Sequence, residues 1–319
     1  MEFRSVGGSG LRVSIAGLGC NNFGSRIGLD ATRAVVAAAL EAGVTLFDTA
    51  DVYGGMRSEE LLGVALASQR DDVVIATKFS MPSGGGQYSA GGSRRYIMRA
   101  VEASLRRLGT DYIDLYQMHA PDPATPIDET LAALNDLVHQ GKVRYIGSSN
   151  FTGWQIADAD WAARTRGYAH FVSAQNEWSL LRRATEREVV PACEYLGVSV
   201  LPYFPLAGGA LTGKYRRGEA APAGARLSGD VGAEWLTDDN FSRVEVVTAF
   251  ATEQGRSAGE LALAWLASQP TVCSVIAGAT RPEQVKENVA ALSWRLSAND
   301  MQALDELLAT VPHQPVPLH

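Results

Sequence analysis

An α/β fold of the closed (β/α)8 TIM-barrel class is what this sequence predicts, and three observations predict it. Eight short runs rich in apolar or β-branched residues alternate with helical patterns, which implies parallel strands joined by crossover helices. The runs are apolar on both faces, as in a sheet covered on both sides. The 319 residues show no linker and no break in composition, so one domain is expected over 1–319, a length that α/β barrels commonly reach.

The elements follow in order. Residues 3–6 and 11–14 flank Gly7-Gly8-Ser9-Gly10 and read as a small N-terminal hairpin with a glycine turn. The eight strands are expected at 15–19, 45–48, 73–78, 113–119, 143–148, 171–175, 199–203 and 272–277. Between them, Asp30 reads as a cap before a helix over 31–41 with Gly43 beyond it, and Ser93 precedes 94–107 with Gly109 after it. Further helices are expected over 126–140, 154–166 and 186–196. Ser257 with Glu260 makes a capping box before 261–268, and Ser297 with Asp300 repeats the device for an extra C-terminal helix. Two insertions interrupt the alternation, 79–92 and 207–239, the second leading into a helix around 240–254. Long loops in a compact domain are usually functional, so both are candidate lids.

A doubly wound nucleotide-binding fold is the rival. Gly17-Leu18-Gly19 follows the first barrel strand and Asp48 ends the second. The third glycine of that fingerprint is missing, because Asn22 stands in its place, and Asp48 lies ~30 residues on where ~20 is usual. The barrel fits better.

Composition narrows the function. Hydrophobic residues at 46% and charged residues at 20% describe an ordinary globular chain. A net charge of -7 argues against a nucleic-acid partner, which needs a basic stripe to neutralise phosphates. Cys20, Cys193 and Cys273 are scattered, with no C-x-x-C pair; this fits a reducing cytoplasm and gives no zinc pattern. The opening Met1-Glu2-Phe3-Arg4 lacks a signal-peptide core, and no apolar run approaches a membrane span. A cytoplasmic protein with no membrane partner is expected; the oligomeric state is not legible.

In a barrel the chemistry lies at the carboxyl-terminal ends of several strands. Here strand two ends on Asp48, three on Lys78, four on His119, five on Ser149-Asn150, six on Gln175-Asn176 and seven on Tyr203. Tyr53 follows Asp48 by five positions. Singly these have ordinary readings: Asp48 as a loop start, Lys78 as a lysine leaving the core, His119 as a loop histidine near Pro121. Their common position argues otherwise, because a folding sheet has no need of a buried lysine beside a buried aspartate. A phenol is a poor acid at neutral pH unless positive charge favours its phenolate. Lys78, held by Asp48, would supply that charge, and a neutral His119 would help polarise a substrate oxygen. No nucleophile elbow, phosphate-binding loop or metal-ligand spacing is present, so hydrolysis, phosphoryl transfer and metal catalysis lose ground. An acid that protonates a carbonyl oxygen needs a hydride for the carbon, which a nicotinamide cofactor would bring.

These residues resemble the aldo-keto reductase family over nearly the whole chain. The likeness rests on an ordered set of motifs: Asp48-Thr49-Ala50 with Tyr53-Gly54 and Glu59, Ala76-Thr77-Lys78, Asp114-Leu115-Tyr116-x-x-His119, and Gly147-Ser148-Ser149-Asn150-Phe151. It continues with Gln175, Tyr203-Phe204-Pro205-Leu206-Ala207-x-Gly209, Leu211-Thr212-Gly213-Lys214-Tyr215, and Gly278-Ala279-Thr280-Arg281-x-x-Gln284-x-x-x-Asn288. The resemblance implies a catalytic tetrad of Asp48, Tyr53, Lys78 and His119 and an NADPH extended across the barrel mouth, reducing a small carbonyl substrate. It implies that Gly19, Asn21 and Asp48 border the cofactor, that Ser149, Asn150 and Gln175 hold the carboxamide, and that Tyr203 stacks on the nicotinamide. Leu206, Gly209 and Lys214 are similar to part of the pyrophosphate clasp, with Phe204 and Pro205 also at the cofactor, and Gly278, Thr280, Arg281, Gln284 and Asn288 are similar to the adenosine end. Potassium-channel β subunits also resemble this family, so a redox-sensing subunit is the alternative. No metal is implied.

The chain departs from many relatives at Cys20-Asn21-Asn22-Phe23, where threonine and often tryptophan stand, and a more polar pocket floor is expected. Phe23, Tyr88, Trp178 and Trp235 are candidates for the pocket wall, with core or loop packing as the other reading. Arg281, just before Pro282, is placed to meet a 2′-phosphate; pairing with Glu283 or Glu287 is its other reading.

Overall fold

Strands β1 (Phe3–Ser5) and β2 (Arg12–Ser14) form the expected antiparallel hairpin. The computed structural model describes residues 1–86, 88–222 and 224–311. Gln87 and Ala223, within the two expected insertions, and the last eight residues of the expected domain, 312–319, lie outside the described residues.

Eight parallel strands follow: β3 (Ala16–Gly19), β4 (Leu46–Asp48), β5 (Val74–Phe79), β6 (Ile113–Met118), β7 (Val143–Ser149), β8 (Phe171–Gln175), β9 (Ser199–Val200) and β10 (Val275–Gly278). From β3 to β9 each pairs with the next in chain order, and β10 pairs with β3. The circuit closes between β9 and β10 by a parallel bridge from Val200 to Val272 and by Ile276 N–H donating to Pro202 O at 3.1 Å. The chain is therefore the (β/α)8 barrel the sequence predicts. The strand expected over 199–203 is cut to two residues, since Pro202 has no N–H for the ladder, and Tyr203 keeps only a single bridge to Glu177.

Helices α1 (Leu29–Glu41), α2 (Arg57–Leu66), α3 (Arg94–Leu108), α4 (Ile127–His139), α5 (Gly153–Arg166) and α6 (Thr185–Leu196) surround the sheet. Short α7 (Asp230–Ala233) precedes α8 (Asp238–Glu253), then come α9 (Ala258–Ala267), α10 (Pro282–Ala291) and α11 (Ala298–Ala309). The capping boxes at Ser257 and Ser297 form as expected, and Ser93 caps α3. Asp30 does not cap α1: Gly28 holds that position, and Asp30 sits in the first turn, where its charge faces the positive end of the helix. No helix among the described residues is long and apolar enough to cross a membrane.

Two apolar layers result. The larger lies between sheet and helices. The smaller fills the barrel, where Val6 and Val13 of the hairpin meet Leu46, Val74, Ala76, Leu115, Leu201, Cys273 and Ile276 and plug the floor. Because side chains alternate along a strand, the order Leu46 inward, Phe47 outward returns Asp48 to the interior at the opposite end. The same period carries Val74 and Ala76 to Lys78, and Leu115 to Gln117.

Candidate active site

Asp48, Lys78, Gln117 and Gln175 converge at the carboxyl-terminal end of the barrel, all buried. Lys78 is the hub. Its Nζ donates to Asp48 Oδ2 at 2.7 Å, to Thr49 O at 2.9 Å and to the Tyr53 hydroxyl at 3.3 Å. The other oxygen of Asp48 accepts from Gln175 Nε2 at 2.8 Å and Gln117 Nε2 at 3.3 Å. An ion pair taken out of water holds only when its remaining lone pairs and protons are met, and here they are.

Tyr53 arrives from the loop after β4. Gly54 lets that loop close: its φ is 59°, and a Cβ there would meet Phe23 O at 2.2 Å, so only glycine fits. Ser58 at the start of α2 donates to Cys20 O at 2.8 Å and accepts from Thr49 Oγ1 at 2.8 Å, fixing the loop from behind. The Tyr53 ring meets the His119 ring edge-on, centroids 5.6 Å apart.

The electrostatics refine the expected tuning. Burial pushes the Tyr53 phenol up; Lys78 pulls it down and Asp48 pushes it up, and the net position is above the ordinary tyrosine value. The lysine therefore opposes burial without overcoming it, contrary to the expectation that it makes the phenol acidic outright. Burial works against the Lys78 charge, but Asp48 and Tyr53 outweigh it and the ammonium is held above its usual range. Burial, helped by Lys78, lowers His119 to about 3, so its imidazole is neutral at working pH. His119 Nδ1 is buried with no hydrogen-bond partner among the described residues.

A cavity of about 430 Å³ opens over these groups. Of the residues expected around a cofactor, it is lined by Gly19, Asn21, Asp48, Ser149, Asn150, Gln175, Tyr203, Phe204, Pro205, Leu206, Gly209, Lys214, Gly278, Thr280 and Gln284. Asn150, at φ 60°, donates to His119 O at 2.8 Å and accepts from the Tyr203 hydroxyl at 2.8 Å, tying strand ends β6, β7 and β9 together. Lys78 stands behind the wall; Arg281 and Asn288 lie outside the lining. Arg281 is exposed at the N-cap of α10, and neither Glu283 nor Glu287 pairs with it. Arg26, Lys214, Arg226 and Arg281 enter none of the ion pairs among the described residues. That donor set, with one helix N-terminus beside it, suits a ligand carrying several phosphates.

Some expectations change. Phe23, Trp178 and Trp235 are core aromatics and Tyr88 is half-exposed; none lines the cavity. The described part of insertion 79–92 does not line it, whereas 207–239 supplies Gly209, Thr212, Lys214 and Arg226. The polar floor is present as Asn21 and Asn22, with Cys20 and Phe23 turned into the core. Reading the sequence missed Gln117 beside Asp48, and Arg26, Gly208, Thr212, Arg226 and the apolar wall of Ile276, Ala277 and Ala279 in the lining. Gln117 carries a signal, lying two residues before His119 on an alternating strand; Arg26 and Arg226 sit in loops and carry none.

A model of the family described as "Aldo/keto reductase family" matches residues 16–309. The chain belongs to the aldo/keto reductase family. Relatives in this oxidoreductase family include a probable voltage-gated potassium channel subunit beta of Oryza sativa subsp. japonica, 35% identical over 99% of this chain and 98% of that one. An uncharacterised oxidoreductase of Bacillus subtilis is 36% identical, covering 96% of each chain. The L-glyceraldehyde 3-phosphate reductase of Escherichia coli is 32% identical over 97% of this chain and 93% of its own.

Proposed function

We propose that this chain is an NADPH-dependent reductase of the cytoplasm that converts a small aldehyde or ketone to an alcohol. Bound nicotinamide supplies the hydride, and the chain's own groups manage the proton. Tyr53 gives its phenolic proton to the carbonyl oxygen, and neutral His119 shares the hydrogen bonding to that oxygen. Lys78 stabilises the phenolate left behind, while Asp48 keeps the ammonium charged and aimed. The observation that carries this reading is the contact of one fully buried ammonium with both a carboxylate and the Tyr53 hydroxyl.

The remaining residues divide along the cofactor. Ser149, Asn150 and Gln175 hold the carboxamide and Tyr203 faces the ring, with Gly19 and Asn21 bordering it. Phe204, Pro205, Leu206, Gly209 and Lys214 clasp the pyrophosphate, and Gly278, Thr280, Arg281, Gln284 and Asn288 take the adenosine end. Arg281, with no carboxylate partner among the described residues, selects NADPH over NADH by a charge-assisted contact with the 2′-phosphate. Arg281→Ala should then weaken NADPH by ~1.5–3 kcal/mol and leave NADH nearly unchanged; fluorescence titration with both nucleotides checks it, and equal losses would refute the role.

The likeness to a protein named as a channel subunit supports a second reading, a nucleotide-holding sensor that acts on a partner protein. Mixing the chain with NADPH and a panel of simple aldehydes separates the two. Repeated turnover, followed as loss of cofactor absorbance, is the expected result; tight nucleotide retention with negligible turnover would favour the sensor.

A further inference from the structure

One buried acid beside the site takes no part in the proposed chemistry. Asp51 stands two residues before Tyr53, is 2% exposed and does not line the cavity. Its backbone N–H donates to Lys78 O at 3.2 Å, which fastens it to the end of β5. Its Oδ2 accepts from the Tyr96 hydroxyl of α3 at 3.2 Å, while Oδ1 meets no hydrogen bond of good geometry among the described residues. Titratable groups face it from three elements. Glu59 of α2 and Arg107 of α3 are already paired with each other at 2.7 Å, Arg99 of α3 lies 5.8 Å from the Tyr96 ring, and the Tyr116 hydroxyl of β6 is buried with no partner among the described residues. A carboxylate out of water with so few donors is costly. Burial, with the charge of Glu59, raises the Asp51 carboxyl to about 7 against the pull of Tyr96, Arg107 and the Val52 N–H.

Tyr96 connects this acid to the root of the insertion 79–92. Its hydroxyl also reaches Met81 O at 3.3 Å and Ser83 Oγ at 3.0 Å. Ser80, beside Met81, is held at φ 97°, a strained conformation that persists only where the surroundings enforce it. The Ser80 Oγ donates to Ala120 O at 2.9 Å and accepts from the Ala120 N–H at 3.0 Å, immediately after His119. One hydroxyl has one proton to give. When Asp51 is ionised, Tyr96 must donate to it, and Met81 O loses its donor. When Asp51 is protonated, its carboxyl donates to Tyr96, which is then free to donate to Met81 O.

We propose that Asp51 is a positioning residue whose proton sets the direction of the Tyr96 hydroxyl: protonated, it clamps the root of the insertion behind His119 to the Tyr53 loop, and ionised, it releases that clamp. The consequence for turnover rests on the reductase reading; the clamp itself does not.

Hydrogen exchange of the Ser83 and Gly91 amides, which donate to Ser89 O and Ser80 O within the root, reads the clamp. Between about pH 6 and 8.5, protection corrected for the intrinsic pH dependence should fall above neutrality, towards ~10-fold per pH unit where opening is linked to loss of one proton. The kcat for an aldehyde at saturating NADPH should fall over the same interval, while nucleotide affinity, titrated by fluorescence, holds. His119, lowered to about 3, adds no step there. Asp51→Asn, uncharged at every pH and still able to donate to Tyr96, should make both profiles flat at the acid-side level. Tyr96→Phe should leave protection low and flat, and carries the test if the first variant does not fold. A flat protection profile in the unaltered protein would overturn the proposal, as would a fall that survives in either variant. Falling protection with an unchanged kcat would confine Asp51 to the insertion and overturn its part in positioning the site. If protection follows Asp51 but no aldehyde is turned over at any pH with nucleotide bound, the clamp stands and the reductase reading is wrong.

Discussion

A single lysine determines what the neighbouring residues can do. Lys78 sits where burial should strip its proton, yet the paired Asp48 and the Tyr53 hydroxyl keep it charged. Burial holds the Tyr53 phenol above its ordinary value, so it is protonated at neutral pH, and Lys78 pulls against that rise. Tyr53→Phe should therefore lower turnover by ~10²-fold or more, the usual size of a general-acid contribution, with nucleotide affinity nearly intact. Unchanged turnover would remove Tyr53 from the chemistry. Lys78→Met takes away the cation that touches the phenol and opposes burial, so the phenol pKa must move further up. In the oxidation direction, which needs the phenolate, the rise of rate with pH should shift to higher pH. An unmoved profile would refute the coupling. Asp48 and Lys78 were legible because they stand at strand ends, and Tyr53 because it follows Asp48 on the loop beyond; the direction of the tuning was not, since it depends on how completely the loop closes over Tyr53, which no local pattern records.

At the level of elements, α2 does positioning work that its sequence conceals. Its N-cap is Met56 at φ 74°, with no side-chain cap, so the usual start signal is missing and no helix was expected between the second and third barrel strands. Yet α2 supplies Ser58 behind the Tyr53 loop, and Glu59, which accepts from Thr77 at 2.6 Å and pairs with Arg107 at 2.7 Å. Helices α2 and α3 touch closely at Gly63, where a Cβ would lie 2.3 Å from Leu108 O and 2.7 Å from Leu108 C. Alanine is favoured over glycine in a helix by roughly 1 kcal/mol, but here the clash is with backbone, and overpacking of this kind costs about 1–3 kcal/mol. The clash should win. Gly63→Ala is expected to lower Tm by several degrees and to reduce turnover, because the displaced helix carries the support of the Tyr53 loop. A higher Tm would mean that α3 yields easily and that the close approach is not needed. The capped helices contrast with this one: Ser93, Ser257 and Ser297 announce their helices because the device is local, four residues long and independent of the rest of the fold.

Across the whole molecule the two ends of the barrel divide the labour. Tyr53, the proposed proton donor, the buried ion pair and the cations of the cavity lie at the carboxyl-terminal end, while the hairpin closes the other with Val6 and Val13 against Leu46, Val74 and Leu115. Alternation of strand and helix made the barrel legible, because each βα unit is written in consecutive residues. The residues that make its seam were not, since Val200 and Val272 are brought together only when all eight strands are in place. The floor is where a change should be felt as stability alone. Val13 is fully buried inside the hairpin seal, and truncating such a side chain leaves both a lost transfer term and a void that the rigid strand ends cannot collapse into. Val13→Ala should therefore cost about 2–3 kcal/mol, by the scale of buried aliphatic truncations, and lower Tm by several degrees. The strands between floor and site stay in register, so nucleotide affinity and the pH dependence of turnover should remain those of the unaltered protein at temperatures well below the transition. Thermal unfolding and nucleotide titration on the same preparation decide the matter. A loss of affinity without a fall in Tm would show that the floor shapes the site through the barrel interior and that the two ends are not independent.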